Sequence, residues 1–255
     1  MKIYSYLHAI FLALMLSLIS SSLWAGTMGA PAIVPVKDWT WVGSLVAGPV
    51  WARGDETQTF YLASETEKTY LSSKSSTALV VGEVFFGAQK GLSQKWLGQI
   101  GLALTATGDA SFKGYIWDDA DVTFNNYSYD YKVRHSAIAL KGRLLFDKHE
   151  WVLPWASASI GAGFNRTDKF MNTPLIFEAI RNNNFTHHVT NTVTYTLGLG
   201  AQAVVNQHWQ WGAGYEFADW GKSELGRAIG QTLNSGLTIN HIYTNGILFN
   251  LTYLA

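Results

Sequence analysis

The chain has 255 residues, with 18 Lys and Arg against 18 Asp and Glu, 11 Trp and no cysteine. This charge balance gives no electrostatic basis for binding nucleic acid or an anionic membrane surface. The lack of cysteine excludes disulfides, thiolate metal sites and a lipid-modified N-terminal cysteine. After the N-terminal segment, no run of about 18 or more apolar residues occurs, so the sequence predicts no transmembrane helix.

Residues 1–25 are predicted to be a cleavable export signal. Lys2 is their only charge, the stretch 9–19 is almost entirely apolar, and the segment ends with the small residue Ala25. The bulky Leu23 leaves the exact cleavage site open. An uncleaved N-terminal anchor helix is the alternative, although the apolar run is short for a membrane span. Cleavage leaves 255 − 25 = 230 residues, enough for one domain.

The small, proline-punctuated residues 26–36 are predicted to be a periplasmic lead-in, and a first strand follows at about Trp39 to Trp51. One parity of this strand carries Trp39, Trp41 and Trp51, with small residues between them. At ~3.3 Å per residue and a ~40° tilt, the Trp pair lies ~25–30 Å from Trp51, which is the spacing of aromatic girdles at the two faces of a membrane. Core tryptophans of a soluble barrel are the alternative interpretation.

Seven further strands are predicted because apolar residues recur at every second position. They cover 77–88, 96–106, 131–146, 151–164, 189–205, 209–217 and a last strand that contains Tyr243 to Tyr253. The clearest is 189–205, where Val193, Tyr195 and Leu197 alternate with threonines and glycines. A tilted strand needs roughly 9–11 residues to cross a bilayer, and this run is longer.

Three short connections alternate with four long ones. The short connections are 89–95, 147–150 and 206–208. The long ones include 109–129, 165–187 and 221–235, and a helical turn or two is predicted within 174–182. This layout predicts an all-β fold, an eight-stranded antiparallel transmembrane up-and-down β-barrel over residues 37–255, with both termini in the periplasm of a Gram-negative bacterium.

With these strands in place, the chain resembles the OmpA-like family of small eight-stranded outer-membrane barrels. The resemblance covers residues 37–255 and includes the terminal strand Phe249-Asn-Leu-Thr-Tyr253, although Leu254 and Ala255 follow where such barrels normally end on an aromatic residue. It implies delivery by the barrel assembly machinery and an ion-pair network that blocks or gates the lumen. No peptidoglycan-binding domain follows, so a wall-tethering role is not implied.

Four charged residues fall on the parity opposite the lipid-facing rows and are predicted to form a charge network in the lumen: Glu83, Lys141, Arg143 and Glu216. Charges at bilayer depth are costly unless they face the lumen and pair. The four predicted lumen charges would either plug a narrow barrel or gate a small pore. The predicted aromatic girdle consists of Trp39, Trp41, Trp51, Trp209, Trp211, Tyr243 and Tyr253.

The sequence predicts no catalytic residue, cofactor or metal site. His135 and Ser136 are adjacent, so in a strand they point to opposite faces and cannot act together as base and nucleophile. His187, His188 and His241 lack ligand spacing. Acidic and amide residues at 118–126 lack the glycine and closing glutamate of a calcium loop, which favours a solvated tip over a weak Ca²⁺ site.

Six aromatic residues are predicted to lie in exposed loops: Tyr115, Trp117, Tyr127, Tyr129, Phe170 and Phe185. They would serve protein recognition or rest on lipopolysaccharide. The resulting hypothesis is a monomeric, non-enzymatic outer-membrane surface protein that contacts outer-membrane lipid and lipopolysaccharide, supports envelope integrity and binds partners through four long loops. The alternatives are a small channel for solutes or amphipathic molecules and, more remotely, a lipid A-modifying hydrolase.

Overall fold

The computed structural model describes residues 39–54, 56–74, 76–147, 151–180 and 182–255. The predicted export signal (1–25) and lead-in (26–36) lie outside the described residues. Within these ranges, no helix is long and apolar enough to span a membrane.

Fourteen strands and one short 3₁₀ helix (Val122–Phe124) make up the regular structure of the described residues. In chain order the strands are β1 (Thr40–Arg53), β2 (Gln58–Ala63), β3 (Thr66–Ser72), β4 (Thr77–Ser93), β5 (Trp96–Asp118), β6 (Asn125–Phe146), β7 (Val152–Pro174), β8 (Phe185–Thr186), β9 (His188–Val204), β10 (Trp209–Asp219), β11 (Ser223–Glu224), β12 (Gly226–Ala228), β13 (Thr238–Ile239) and β14 (Tyr243–Leu254).

Eight of these strands close into a ring: β1, β4, β5, β6, β7, β9, β10 and β14. Each is antiparallel to both neighbours, and the ring closes where β14 pairs with β1, for example Leu45 opposite Leu251. The predicted eight-stranded antiparallel barrel is confirmed. One end of the barrel, here the turn end, carries the short connections and Ala255. The other end, the loop end, carries the long connections.

Side chains alternate strictly between the inside and the outside of the barrel wall. In β9, Thr194 is 3% exposed and faces inward, whereas Leu197 is 54% exposed and faces outward. Successive strand residues point to opposite faces, so this register places Val193, Tyr195 and Leu197 outside and the threonines inside. Asn191, toward the loop end, is a polar residue on the outer face. The register predicted for this strand is confirmed.

Several predicted loops are strands, so the strand boundaries were wrong at the loop end. β5 and β6 extend through most of 109–129, and β7 continues to Pro174. In these extensions most apolar side chains face inward and most polar ones outward, the reverse of the barrel wall below. For example, Phe112 faces inward and the adjacent Lys113 faces outward. Because most of their apolar side chains face inward, the pattern of outward apolar residues that predicts a membrane strand does not occur there. The predicted helical turns at 174–182 are bends and turns among the described residues of that stretch.

A hairpin of β2 and β3 was also missed. It adds to the edge of the extended β5 through β3, with Tyr70 opposite Ile116. Phe60 of β2 stacks on Tyr70 at 5.3 Å between ring centroids. The hairpin therefore completes a wall of strands that rises beyond the barrel at its loop end.

This wall encloses a cluster of rings that we call the aromatic cap: Tyr70, Phe112, Tyr127, Tyr129, Tyr131, Phe170 and Phe185. All seven are at most 5% exposed. The prediction that Tyr127, Tyr129, Phe170 and Phe185 lie in exposed loops is therefore wrong. Burial, with smaller contributions from Tyr129 and Asp118, raises the pKa of Tyr70 well above its ordinary value. Of the other predicted loop aromatics, Tyr115 is 42% exposed and Trp117 is half-buried.

Candidate functional site

The middle of the lumen holds a buried triad of charges contributed by three strands. Lys141 of β6 donates to both carboxylate oxygens of Glu83 from β4, at 2.7 and 2.9 Å. It also donates to Oε2 of Glu216 from β10, at 3.0 Å. The Lys141 and Glu83 side chains are each 3% exposed. One ammonium thus links two carboxylates across the barrel.

Arg143, the fourth residue predicted for this network, lies two positions along β6 toward the turn end and makes a different contact. Its guanidinium stacks over the Trp155 ring at 4.7 Å from the centroid. Its Nη1 is buried without a hydrogen-bond partner among the described residues, as is Trp155 Nε1. The guanidinium and the indole therefore fill the lumen below the triad as a stacked pair.

Glycines of β9 and β10 accommodate the Trp155 ring. A Cβ placed on Gly214 would lie 2.4 Å from a Trp155 ring carbon, and one on Gly200 would lie 2.5 Å from the same ring. The indole therefore occupies the lumen space beside these inward-facing glycines.

The turn end of the lumen is closed by paired polar side chains. Gln202 donates to Gln210 at 2.6 Å, and the hydroxyls of Ser44 and Thr252 lie 2.7 Å apart. Because these groups satisfy one another, they can be packed away from water at small cost.

A small cavity of about 30 Å³ lies on the loop side of the triad, between Glu216 and the rings of His135 and Trp220. The two rings stack in parallel at 4.9 Å. Asn165 Oδ1 lies 2.7 Å from His135 Nδ1. The space is large enough for one or two water molecules and no larger solute.

Residues 220–242 fold into the barrel mouth, and we call them the plug segment. Trp220, Leu225 and Ile242 are each at most 2% exposed. Asn165 Nδ2 donates to the carbonyl oxygens of Trp220 and Lys222, at 2.8 and 2.7 Å. The predicted loop 221–235 is therefore packed inward and held by a polar clamp from β7.

The remaining candidate polar residues take separate positions. His135 faces inward and is 2% exposed, while Ser136 faces outward, so the two lie on opposite sides of the wall. His241 Nδ1 lies 2.8 Å from Asp219 Oδ2. Asp118 pairs with Lys68 and accepts from Asn126 at 2.7 Å. No cluster of three potential metal-binding His, Cys, Asp or Glu occurs in the part of the chain that the structure describes.

The outer surface of the barrel is a continuous apolar belt, and each of its main side chains is 40–66% exposed. The belt consists of Leu45, Val80, Val84, Phe86, Ile100, Leu102, Leu104, Ile138, Leu140, Leu144, Ile160, Val193, Leu197, Leu199, Tyr215, Ile247, Phe249 and Leu251.

Aromatic residues border this belt at both ends. Toward the turn end, Trp209 packs on Tyr253 at 4.9 Å between ring centroids, and Trp41 stacks on Phe86 at 5.5 Å. Toward the loop end, Tyr243 stacks on Phe217 at 5.8 Å, and Trp51 is 39% exposed. Trp39 (52% exposed) and Trp211 (56% exposed) also face outward. Tyr243 and Tyr253 are ten residues apart in β14, which corresponds to ~25 Å along a tilted barrel axis.

Comparisons with known proteins give structural similarity alone. No family model matches the chain, and no curated protein matches it. Among solved structures, it is similar to Neisserial surface protein A (12% identity, 84% of this chain and 96% of that chain, TM-score 0.45). It is also similar to the outer membrane protease OmpT from Escherichia coli (8%, 86% and 97%, 0.45) and the outer membrane protein OprG from Pseudomonas aeruginosa (12%, 82% and 95%, 0.40). Because these identities and TM-scores are low, the conclusion that the chain forms an eight-stranded barrel is drawn from its own strand pairings.

Proposed function

We propose that this chain is a closed, non-enzymatic surface barrel of a Gram-negative outer membrane, of the small OmpA-like kind. The observation that carries the proposal is the apolar belt, bordered by aromatic rings on both sides and wrapped around a polar lumen. Soluble proteins rarely expose apolar patches larger than a few hundred Å². Aromatic rings at both edges of an apolar band of about 25 Å are the arrangement of a transmembrane barrel.

The orientation follows from the lengths of the connections. Short turns face the periplasm in such barrels and long loops face outward. The turn end, with its three tight connections, would therefore lie in the periplasm, and the aromatic cap would rise above the outer leaflet. β14, which contains the Phe249–Tyr253 segment, pairs with β1 and closes the ring.

Three successive layers of the lumen support a closed barrel rather than a channel. The stacked Arg143 and Trp155, the triad of Lys141 with its two carboxylates, and the inward plug segment fill it in turn. A solute would have to displace all three. We therefore favour a role in envelope integrity and surface contacts over conduction, with the small channel as the second candidate.

Planar-bilayer recording of the refolded protein tests the closed state. The parent protein is expected to give no resolved conductance steps, whereas Lys141→Ala, Trp155→Ala and Asn165→Ala combined should conduct, because together they open the triad, the stacked pair and the plug segment. Heat-modifiable migration on gels checks that each sample is a folded barrel. Regular conductance steps from the parent would refute the closed barrel and favour the channel.

Protease protection in lipid vesicles tests membrane insertion separately. The strands should be protected, and cleavage should be confined to the loop end. Full digestion of the strands in vesicles would refute the membrane assignment itself.

A further inference from the structure

A group of cations lies on the outside of the wall, immediately beyond the apolar belt at the loop end. We call it the outer basic cluster: Lys132, Arg134, Arg166 and Lys169. The side chains of Arg134, Arg166 and Lys169 are 56%, 59% and 56% exposed. We propose that this cluster binds the phosphate of a lipid headgroup in the outer leaflet. The inference rests on the proposed membrane function and names a ligand for that surface.

The two arginines of the cluster lie at about the height of the headgroup layer, and Lys132 and Lys169 lie farther from the belt. On β7, Arg166 is two residues beyond Phe164, an apolar residue that faces outward, and on β6, Arg134 is four residues beyond Ile138. At ~3.3 Å per residue and a ~40° tilt, these steps correspond to ~5–10 Å above the belt. The headgroup layer on each side of a hydrocarbon core is ~5–8 Å deep.

Two cations of the cluster, Arg134 and Arg166, are placed directly opposite each other, although each also has a carboxylate partner. Arg134 and Arg166 are direct partners across β6 and β7 and point to the same outer face. Like charges directly opposite each other in a sheet are destabilising. An anion held between the two guanidinium groups would turn this repulsion into attraction. Arginine forks are suited to phosphate because they bind two of its oxygens at once.

The neighbouring carboxylates neutralise only part of the charge. Asp109 accepts from Arg134 at 3.0 and 2.6 Å and from Lys169 at 3.0 Å. Asp168 accepts from Arg166 Nε at 3.0 Å and is the cross-strand partner of Lys132. Asp130, on the outer side of β6 two residues from Lys132, is the cross-strand partner of Lys113. Four cations against two carboxylates, or five against three with this second pair, leave a local excess of two positive charges in a chain whose formal net charge is zero.

Arg166 is the best-placed phosphate donor in the cluster. Its Nε is bonded to Asp168, but its terminal nitrogens have no hydrogen bond to any described residue. Lys169 lies on the outer face, where the register between β6 and β7 is irregular, and its backbone is left-handed, with φ of 58°. A non-glycine residue in this region carries strain, and such strain is often found at binding sites.

A lipid fits the cluster better than a free anion because the belt begins directly below it. A phosphorylated lipid would place its acyl chains on Ile138 and Phe164 and its phosphate between the arginines, whereas free phosphate would gain only the second contact.

The test measures binding of diphosphorylated lipid A to the refolded protein in octylglucoside micelles. The same lipid without its phosphates and inorganic phosphate are the comparison probes. Arg166→Gln should weaken binding of the phosphorylated lipid about tenfold, the loss expected for one charge-assisted contact. Arg134→Gln with Arg166→Gln should weaken it further, and the dephosphorylated lipid should bind parent and variants alike.

Lys222→Gln is the matched control. Lys222 is 46% exposed and pairs with Glu224 at 2.9 Å, much as Arg166 pairs with Asp168. This control should bind the lipid like the parent protein. Equal binding by the parent and the double variant would overturn the proposal, and so would inorganic phosphate that binds as well as the lipid. If the protein inserts into vesicles but shows no phosphate dependence, this inference fails while the membrane proposal stands.

Discussion

Replacing Lys141 should destabilise the barrel more than replacing either of its carboxylate partners. In Lys141→Ala, Glu83 and Glu216 both lose their shared cation and remain close to each other inside the lumen. Removing one partner of a buried ion pair costs about 3–5 kcal/mol. In Glu83→Gln, by contrast, Lys141 keeps Glu216 and an amide oxygen, and the expected loss is about 1.5–3 kcal/mol for one charge-assisted bond.

Urea unfolding in phospholipid vesicles, followed by tryptophan fluorescence, measures these differences. With a slope of about 1–3 kcal/mol per molar urea, a loss of about 3–5 kcal/mol should lower the midpoint of Lys141→Ala by about 1–5 M. The triple variant Lys141→Met, Glu83→Leu and Glu216→Leu is the informative control. A well-packed apolar replacement of a buried ion pair is often neutral or stabilising, so its midpoint should stay near that of the parent.

The order of the urea midpoints of the three variants shows whether the triad stabilises the lumen. If Lys141→Ala unfolds at the parent midpoint, the carboxylates are solvated independently and the triad does not stabilise the lumen. If the triple variant is as unstable as Lys141→Ala, the stability lost in Lys141→Ala comes from poorer packing and not from unpaired charge.

Three further predictions follow from the lumen and the wall. Gly214→Val should destabilise the barrel by about 1–3 kcal/mol or more, because its side chain would collide with Trp155. Gly43→Val, with no atom within 4 Å of its Cβ, should leave the urea midpoint nearly unchanged, and equal midpoints for the two variants would refute the packing of the indole against β10. Asn165→Ala should free the plug segment and lower the free energy of unfolding by about 1–3 kcal/mol, because two carbonyl groups lose their donor. Trypsin should then cut faster after Lys222. In the control Asn183→Ala, which loses one exposed bond to the Ile229 carbonyl, trypsin should cut at the rate of the parent. Cysteine at Leu197 should react with a lipid-soluble label and cysteine at Thr196 should not; the opposite pattern would mean that β9 has slipped by one residue.

The sequence predicted the membrane-depth part of the wall well because one physical rule governs it. At that depth, every outward side chain is apolar, so Leu197 and Tyr195 could be separated from Thr194 and Thr196 by parity alone. The same rule sorted Glu83 and Lys141 to the inward parity. Their mutual contact could not be derived, because the two strands are separated by β5 and their side chains meet only through the lumen.

The loop end was predicted poorly because the rule reverses there. Above the belt, the outer face of the wall is in contact with water and its inner face packs on a hydrophobic core. Tyr129 therefore points inward and Lys132 outward. A pattern of inward aromatics and outward charges still has period two, but it was interpreted as an acidic, aromatic loop. The plug segment was missed for another reason: Trp220 and Ile242 lie in a stretch without regular alternation, so only tertiary packing shows that they are buried.

This reversal gives β6 two independent constraints on its register. In its first half, Tyr127, Tyr129 and Tyr131 must point inward to form the aromatic cap. In its second half, Ile138 and Leu140 must point outward to meet lipid, which places Lys141 in the lumen. The two halves agree only in one register. A slip of one residue would expose the tyrosines to water and move Lys141 to the lipid face, at about 2–4 kcal/mol for the lysine alone. The register of β6 is therefore fixed both by its inward tyrosines above the belt and by its outward apolar residues within it. The outer basic cluster lies where these two parts of the wall meet.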